Sequence, residues 1–344
     1  MGIKGLSKLL LENCPKAIKE QNISNYYSRI VAIDGNMSMY QFLIGVRGSG
    51  QDLENQDGKI TSHLQGILYR TTRLLEAGIK PVYVFDGKPP ELKYSELEKR
   101  KLKTEQAQEE MEDADEERKI QMSKRTIRVS KEQIEEAKVL LQLLGIPVIQ
   151  APSEAEAQCC ELVKGKLAYA IGTEDMDALT FGSNILLRHL NFSEARKEPI
   201  LEFNLEKILS ELKLTYNQFI DLCILCGCDY TDSIKGIGPK RALKLIREHQ
   251  TIENILPHLT KKNVVPEHFP IVEVRNLFLK PDVIPCSEIK LTWNEVNQQE
   301  LLNYLVNDKQ FDEQKVKKVI ERIKVARKKM GQQRIDSFFK KKIM

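Results

Sequence analysis

Four apolar runs in the chain lead directly into acidic residues. Asp34 ends "RIVAID", Asp86 ends "KPVYVFD", Glu154 and Glu156 stand just beyond "GIPVIQ", and Asp175 and Asp177 just beyond "LAYAIG". Six carboxylates in one crevice would repel each other strongly, and such a cluster is tolerable chiefly when cations neutralise it. All-oxygen ligation suits Mg²⁺ or Mn²⁺. Two such ions roughly 4 Å apart can activate a water and stabilise the leaving oxygen of an in-line phosphodiester displacement, with no protein nucleophile. The sequence holds no G-x-S-x-G elbow and no G-x-x-x-x-G-K-[ST] loop, so acyl transfer and nucleoside triphosphate hydrolysis lack support.

Each acid also has a purely local reading. Ser153 and Glu156 fit an S-x-x-E capping box, Asp175 and Asp177 fit an Asx turn or helix cap, and Asp34 and Asp86 stand where strand-end acids cap a following helix. Capping does not explain why the same edge is acidic on all four strands.

The elements that must carry these acids share one grammar: a β-branched apolar run, a polar residue, then a helix-like segment. "RIVAID" precedes "GNMSMYQFLIGV", "KPVYVFD" precedes "GKPP", "GIPVIQ" precedes "APSEAEAQCCELV", and "LAYAIG" precedes "TEDMDALTFG". Buried strands alternating with helices predict an α/β fold with a doubly wound, mostly parallel sheet. Ligands of such sheets bind outside the carboxyl ends of the strands, where these acids lie.

The segment 91–129 breaks that grammar. It carries 10 basic and 11 acidic residues, and no Gly or Pro occurs from Glu91 to Leu144. Lys99, Arg100, Lys101 and Lys103 precede an acidic run from Glu105 to Glu117, and Arg118, Lys119, Lys124, Arg125 and Arg128 follow. This composition favours helix but cannot form core, so it predicts a mobile helical insertion. It reads either as a solvated hairpin or, from the basic blocks near its ends, as an arch facing phosphates.

After about residue 205 the chain reads as mostly helical. "SIKGIGPKRALKLI" sets Gly236 and Gly238 between helical segments, with Pro239 suited to a first turn and Lys240, Arg241 and Lys244 beside it. Backbone N–H groups at such a helix start suit one strand of a duplex without reading its bases.

Bulk properties narrow the class. The 344 residues carry 53 Lys and Arg against 49 Asp and Glu, a balance too even to indicate nucleic acid unless the charges are segregated, as they are here. No run approaches the roughly 18 apolar residues of a membrane span, and no signal-peptide core opens the chain. "MGIKGL" has Leu6 where a myristoylation signal needs Ser or Thr. Seven cysteines without framework spacing read as reduced thiols, and "CILCGC" lacks the second ligand pair of a zinc site.

"MGIKGL", "VAIDGNMSMYQFL", "KPVYVFDGKPPELK", "APSEAEAQC", "TEDMDALTFG" and "GCDYTDSIKGIGPKRA" together resemble the structure-specific 5′ nuclease (XPG-like) family, most closely its eukaryotic and archaeal flap endonuclease branch. The resemblance covers nearly the whole chain. It implies a PIN-like 5′ nuclease fold with a helical gateway and cap insertion and a helix-two-turn-helix. The implied parts are the nuclease domain in 1–90 and 130–230, the gateway in 91–129, the helix-two-turn-helix and C-terminal helices in 231–330, and a tail in 331–344. Carried over by motif, Asp34, Asp86, Glu154 and Glu156 serve one Mg²⁺, and Asp175, Asp177 and Asp229 a second, with Mn²⁺ able to substitute. Lys93 and Arg100 contact the scissile phosphate, and Tyr40 stacks on the adjacent base. The residues implied on DNA are Arg47, Arg70, Lys124, Arg125, Arg128, Gly236, Gly238, Lys240, Arg241 and Lys244, with a K⁺ ion at the helix-two-turn-helix. Gly35 and Asn36 depart from the Ala-Ser of family members.

"QQRIDSFF" spaces Gln332, Ile335, Phe338 and Phe339 so that the three apolar residues share one face of a helical turn. It resembles the sliding-clamp (PCNA) binding motif of the family; a turn docked on its own domain is the alternative. The implied protein is a monomeric nuclease of branched DNA with a 5′ flap, acting in Okazaki-fragment maturation and long-patch base excision repair. Its implied location is the nucleus, with nucleolus and mitochondrion as further sites. A 5′ exonuclease, a junction resolvase or a catalytically silent clamp-binding scaffold are the rival readings.

Overall fold

Val31, Ala32 and Ile33, and the whole run from Pro81 to Phe85, are buried. Strands apolar on both faces need cover on both, which is the requirement of a central sheet between helical layers. The computed structural model describes residues 2–47, 61–112, 122–123, 126–190 and 198–329. Its strands are β1 (Ile18–Gln21), β2 (Ile30–Asp34), β3 (Lys80–Phe85), β4 (Val148–Gln150), β5 (Ala170–Gly172), β6 (Ile185–Arg188) and β7 (Ile200–Asn204). They form a seven-stranded, mostly parallel sheet in the order β1-β7-β6-β5-β2-β3-β4.

The predicted strands are β2, β3, β4 and β5. The structure adds β6, which runs parallel to β5, and the antiparallel pairs β6·β7 and β7·β1. β1 is the sequence "IKEQ", with its two central residues exposed. A half-solvated edge strand has no apolar run to announce it.

The chain divides into two compact units. The first comprises Met1–Gln21, Val84–Thr104 and Gln150–Ile289. Within it the helix Tyr216–Cys226 is buried from Phe219 onward, and a Thr215–Gln218 capping box starts it. Phe278 packs against Phe181 at 5.0 Å and Tyr230 at 5.2 Å between ring centroids. Arg275 ties three helices together: Nη2 donates to Asp221 Oδ2 at 2.6 Å and to Glu253 Oε2 at 2.7 Å, while Asp221 Oδ2 also accepts from Ile252 N at 3.1 Å.

The second unit comprises Asn22–Tyr83, Glu105–Ile149 and Lys290–Met344. The helix Ser62–Glu76 buries ten of its residues, and Arg322 on the helix Glu313–Lys329 grips Glu76 through two 2.7 Å bonds. The helix Lys131–Leu143 begins with a capping box formed by Ser130 and Gln133. No helix among the described residues is long and apolar enough to cross a membrane.

The charged segment begins as expected. After Pro90 a single 3₁₀ turn, Glu91–Lys93, leads into the helix Tyr94–Glu112. Among its described side chains only Ala107 is buried. Lys124 and Arg125 lie outside the described residues, as do Gln332, Ile335, Phe338 and Phe339; Arg128 is exposed.

Candidate metal centre

Six of the seven predicted metal ligands, with Lys93 and Arg100, lie in the first unit. Their placement follows from local chain geometry. Asp86 directly follows β3, and the chain turns through Gly87, whose N–H donates to Ser153 O at 2.7 Å. A Cβ on Gly87 would collide with the backbone of Ala151 and Pro152, so only glycine lets the two loops touch. That contact brings Asp86 Oδ1 within 2.8 Å of Ala155 N, the first residue of the helix Ala155–Lys164.

The S-x-x-E capping box read at Ser153 and Glu156 does not form. Glu154 holds the extended N-cap conformation with no side-chain cap bond of its own, and Asp86 supplies the acceptor from another strand. The Glu154 carboxylate is thereby left to face Lys93 Nζ, which it contacts directly. The Asx-turn reading of "TEDMD" is correct for one oxygen: Asp175 Oδ1 accepts from Asp177 N at 3.0 Å.

Lys93 is the common neighbour. Asp86, Glu154, Glu156, Asp175, Asp177 and Asp229 all act on it electrostatically, and its Nζ stands 3.9 Å from Asp229 Oδ2. Burial opposes its charge, but Glu156, Glu154 and Asp229 outweigh that and hold the ammonium above its ordinary pKa. Arg100, two helical turns along, donates Nη2 to Asp229 Oδ1 at 2.7 Å and Nε to Glu96 at 3.1 Å. Six carboxylates against two cations leave an excess of negative charge. Two like charges 4 Å apart cost roughly 4 kcal/mol at an effective dielectric of about 20, so further positive charge is needed.

The strain falls on Asp177. Burial, then the charges of Asp175 and Asp229, push its pKa well above the carboxylate range, and its Oδ1 is buried without a hydrogen-bond partner. Burial likewise raises Asp175, and raises Glu154 against the pull of Lys93. Among the described residues no three acidic, imidazole or thiol side chains already close on a single point. An orphaned buried oxygen amid surplus negative charge is what a cation would complete, so the donor set fits hard divalent ions.

The N-terminal segment covers the Asp175–Asp177 pair. Gly2, at φ +71°, lies so close that a Cβ would overlap the Oδ1 atoms of both aspartates. In sequence "MGIKGL" reads as a rejected myristoylation signal and as a family signature, and neither reading marks this contact, for which the glycine at position 2 is the signal. Tyr230, the neighbour of Asp229, was also missed: it is buried, with its hydroxyl 3.5 Å from Glu154 Oε2 and Lys93 Nζ 6.0 Å from its ring centre.

In the second unit, Asp34 ends β2, buried, and its Oδ1 caps the helix Gly35–Arg47 by accepting from Met37 N at 2.9 Å. Tyr40 is partly exposed on that helix, and the side chain of Arg47 lies outside the described ones. Arg70 braces the same helix, donating to Ser38 O at 2.5 Å with its guanidinium 5.4 Å from the Phe42 ring centre.

The glycine turn forms as read. Gly238 caps the helix Pro239–His249, with Pro239 in its first turn, and Gly236 is at φ +81°. Arg241 supports the turn, donating to Gly236 O and Asn263 Oδ1 at 3.0 Å each. Lys240 and Lys244 are 77% and 73% exposed, leaving them open to solvent. All seven cysteines are free thiols, and burial pushes the Cys226 and Cys228 thiols up to about 12.

Residues 1–107 match the XPG N-terminal domain and residues 145–229 the XPG I-region. A flap endonuclease 1 of Naegleria gruberi is 54% identical over 346 residues, spanning 98% of this chain and 89% of that protein. One of Aedes aegypti is 54% identical over 345 residues, spanning 99% and 91%. The chain belongs to the XPG-like flap endonuclease family. Among solved structures, the flap endonuclease-1 of Methanococcus jannaschii is similar with a TM-score of 0.70 at 28% identity, over 90% of this chain and 96% of that one. The catalytic core of Rad2 in complex with DNA substrate is similar with a TM-score of 0.73 at 25% identity, over 94% and 100%. Flap endonucleases of this family are metal-dependent DNA nucleases. The acid cluster around Lys93 lies in the two segments that carry the family match.

Proposed function

We propose that this chain hydrolyses DNA phosphodiesters at 5′ flaps, with 5′–3′ exonuclease action, using two Mg²⁺ ions for which Mn²⁺ can substitute. The observation that carries this reading is the convergence of six carboxylates on Lys93, with Asp177 Oδ1 buried and unpartnered. Asp34, Asp86, Glu154 and Glu156 are assigned to one ion, and Asp175, Asp177 and Asp229 to the other. Divalent ions at such a site supply activation of water and stabilisation of the leaving oxygen.

The protein's own contribution is electrostatic and positional. Lys93 and Arg100 are pre-placed against Glu154 and Asp229. With Glu154 and Asp229 engaged by bound ions, Lys93 and Arg100 would be free to meet the scissile phosphate and stabilise charge that develops in the transition state. Tyr40 is assigned to stack on the base beside that phosphate. The turn at Gly236 and Gly238, with Lys240, Arg241 and Lys244, is assigned to duplex backbone, with a K⁺ ion in the turn; Arg47, Arg70, Lys124, Arg125 and Arg128 complete the DNA path. These contacts are to phosphates and carry no base preference.

The tail residues Gln332, Ile335, Phe338 and Phe339 are assigned to the sliding clamp PCNA, which places a monomeric enzyme in the nucleus at Okazaki-fragment maturation and long-patch base excision repair. A cleavage assay on a 5′ flap, a 3′ flap, a nick and a four-way junction, each with and without Mg²⁺, tests the reading. Preferred incision of the 5′ flap, only with Mg²⁺, is expected. Preference for the four-way junction would identify a resolvase instead.

A further inference from the structure

The loop that carries Asp175 and Asp177 also carries Glu174, whose side chain does something different. Glu174 Oε2 accepts from Arg188 Nε at 3.0 Å and lies 2.9 Å from Nη2, and Glu174 Oε1 accepts from His189 N. The third arm of the same guanidinium, Nη1, donates to Ser7 Oγ at 2.7 Å. Arg188 ends β6, and Ser7 stands in the first turn of the helix Leu6–Asn13. One planar side chain therefore joins the metal-ligand loop to the N-terminal segment whose Gly2 lies on the Asp175 and Asp177 oxygens.

Other ties act on the same segment. Lys4 N donates to Gly227 O at 3.0 Å, two residues before Asp229, and Gly5 packs on Pro239. The ligand loop is equally constrained, with Asp175 N on Thr173 Oγ1 at 3.1 Å and Asp177 N on Asp175 Oδ1 at 3.0 Å. His189 holds φ +64°, a conformation rare outside glycine, which persists where the surroundings enforce it. Here its N–H is held by Glu174. Arg188 and Glu174 are each below one fifth exposed, so their pairing is little screened by solvent.

We propose that Arg188 is a positioning residue for the Asp175–Asp177 pair: through Glu174 and Ser7 it fixes the ligand loop and the N-terminal segment in the spacing that divalent ions require. The inference rests on the metal role assigned to those two aspartates. Lysine could keep the charge but not the three-way fork, because one ammonium cannot reproduce the guanidinium's fixed planar geometry. A side chain that merely stapled the fold would affect stability without affecting the ion site.

The test is titration of the full-length, DNA-free protein with Mn²⁺, reading free ion by electron paramagnetic resonance, alongside thermal melting in EDTA. Loss of a residue that orients ligands costs about 10- to 100-fold in metal affinity, and a shift of that order is expected for Arg188→Ala. Arg188→Lys should recover only part of it, and Ser7→Ala should shift affinity in the same direction by less. Single-turnover cleavage by Arg188→Ala should be slow at limiting Mn²⁺ and recover in excess, with flap affinity in Ca²⁺ unchanged. Should Arg188→Ala fail to fold, Ser7→Ala and Glu174→Gln decide the matter. Mn²⁺ curves for the folded variants that superimpose on the parent, with only the melting temperature lowered, would overturn the proposal. Asp177→Ala is the control: if it too leaves Mn²⁺ binding intact, the metal assignment itself fails rather than the role of Arg188.

Discussion

Arg100 Nη2 donates to Asp229 Oδ1 at 2.7 Å, joining the charged helix to the turn that follows the helix Tyr216–Cys226. Its neighbour Lys99 pairs with Asp232 on the same turn. The cations assigned to phosphate are thus held by two of the carboxylates assigned to metal, Glu154 and Asp229, while the remaining acids keep their surplus negative charge.

Removing Lys93 separates chemistry from binding. In Lys93→Ala, loss of one pre-placed donor should slow single-turnover incision by about 10²- to 10³-fold. Flap affinity measured in Ca²⁺ should change far less. Equal losses in rate and affinity would make Lys93 a simple phosphate anchor.

Asp177 should trade stability against activity. Burial and the charges of Asp175 and Asp229 oppose ionisation of its carboxyl group, a repulsion that a neutral side chain removes. Asp177→Asn should therefore melt higher than the parent in EDTA while losing cleavage in Mg²⁺. Undiminished cleavage would remove Asp177 from the metal site.

Ion binding should be visible without DNA. A ligand at 100 times its Kd stabilises the folded state by about 2.7 kcal/mol, so excess Mn²⁺ should raise the melting temperature of the parent and EDTA should reverse it. Asp177→Asn should show a much smaller rise. Equal rises in both proteins would place the bound ion elsewhere.

The Arg275 staple makes an acid-dependent contribution. Hydrogen bonds from Arg275 lower the Glu253 pKa to about 2, below an unfolded value of about 4.3. A depressed carboxylate stabilises the fold above the unfolded value, and the gain disappears as pH falls through the folded one. Urea midpoints of the parent and Glu253→Gln should differ at pH 6 and converge as pH falls from about 4 towards 2. Because Glu253 is half exposed, the difference should stay below about 1 kcal/mol. A difference that grows on acidification would refute the linkage.

The clamp assignment is checked in the tail alone. Phe338→Ala combined with Phe339→Ala should abolish stimulation by PCNA and leave basal flap cleavage unchanged, as measured with and without clamp loaded on the substrate. Clamp binding that survives the double substitution would count against the motif.

How far the site was legible depended on whether its residues are local to a pattern. Asp34 and Asp86 terminate apolar runs, and Asp175 and Asp177 follow one, so strand periodicity pointed to them. Asp229 follows a buried helix rather than a strand, and only the family motif "GCDY" marked it. Glu156 looked like part of a capping box with Ser153, but the box was absent because Asp86, 69 residues away in sequence, supplies the cap to Ala155. Glu174 stands beside the ligand pair without completing any sequence pattern, and its partner Arg188 has no periodic or motif signal at all.

By itself the sequence determined the alternation of strands and helices, the acidic edge, the charged helix and the glycine turn, because hydrophobic period, composition and short-range backbone chemistry are all local. Only the tertiary structure decided which carboxylates face Lys93, that Asp177 keeps an unpartnered oxygen, and that Gly2 and Arg188 brace the ligand loop. Those facts depend on contacts between segments up to about two hundred residues apart, and on burial that turns a modest charge repulsion in water into a requirement for cations.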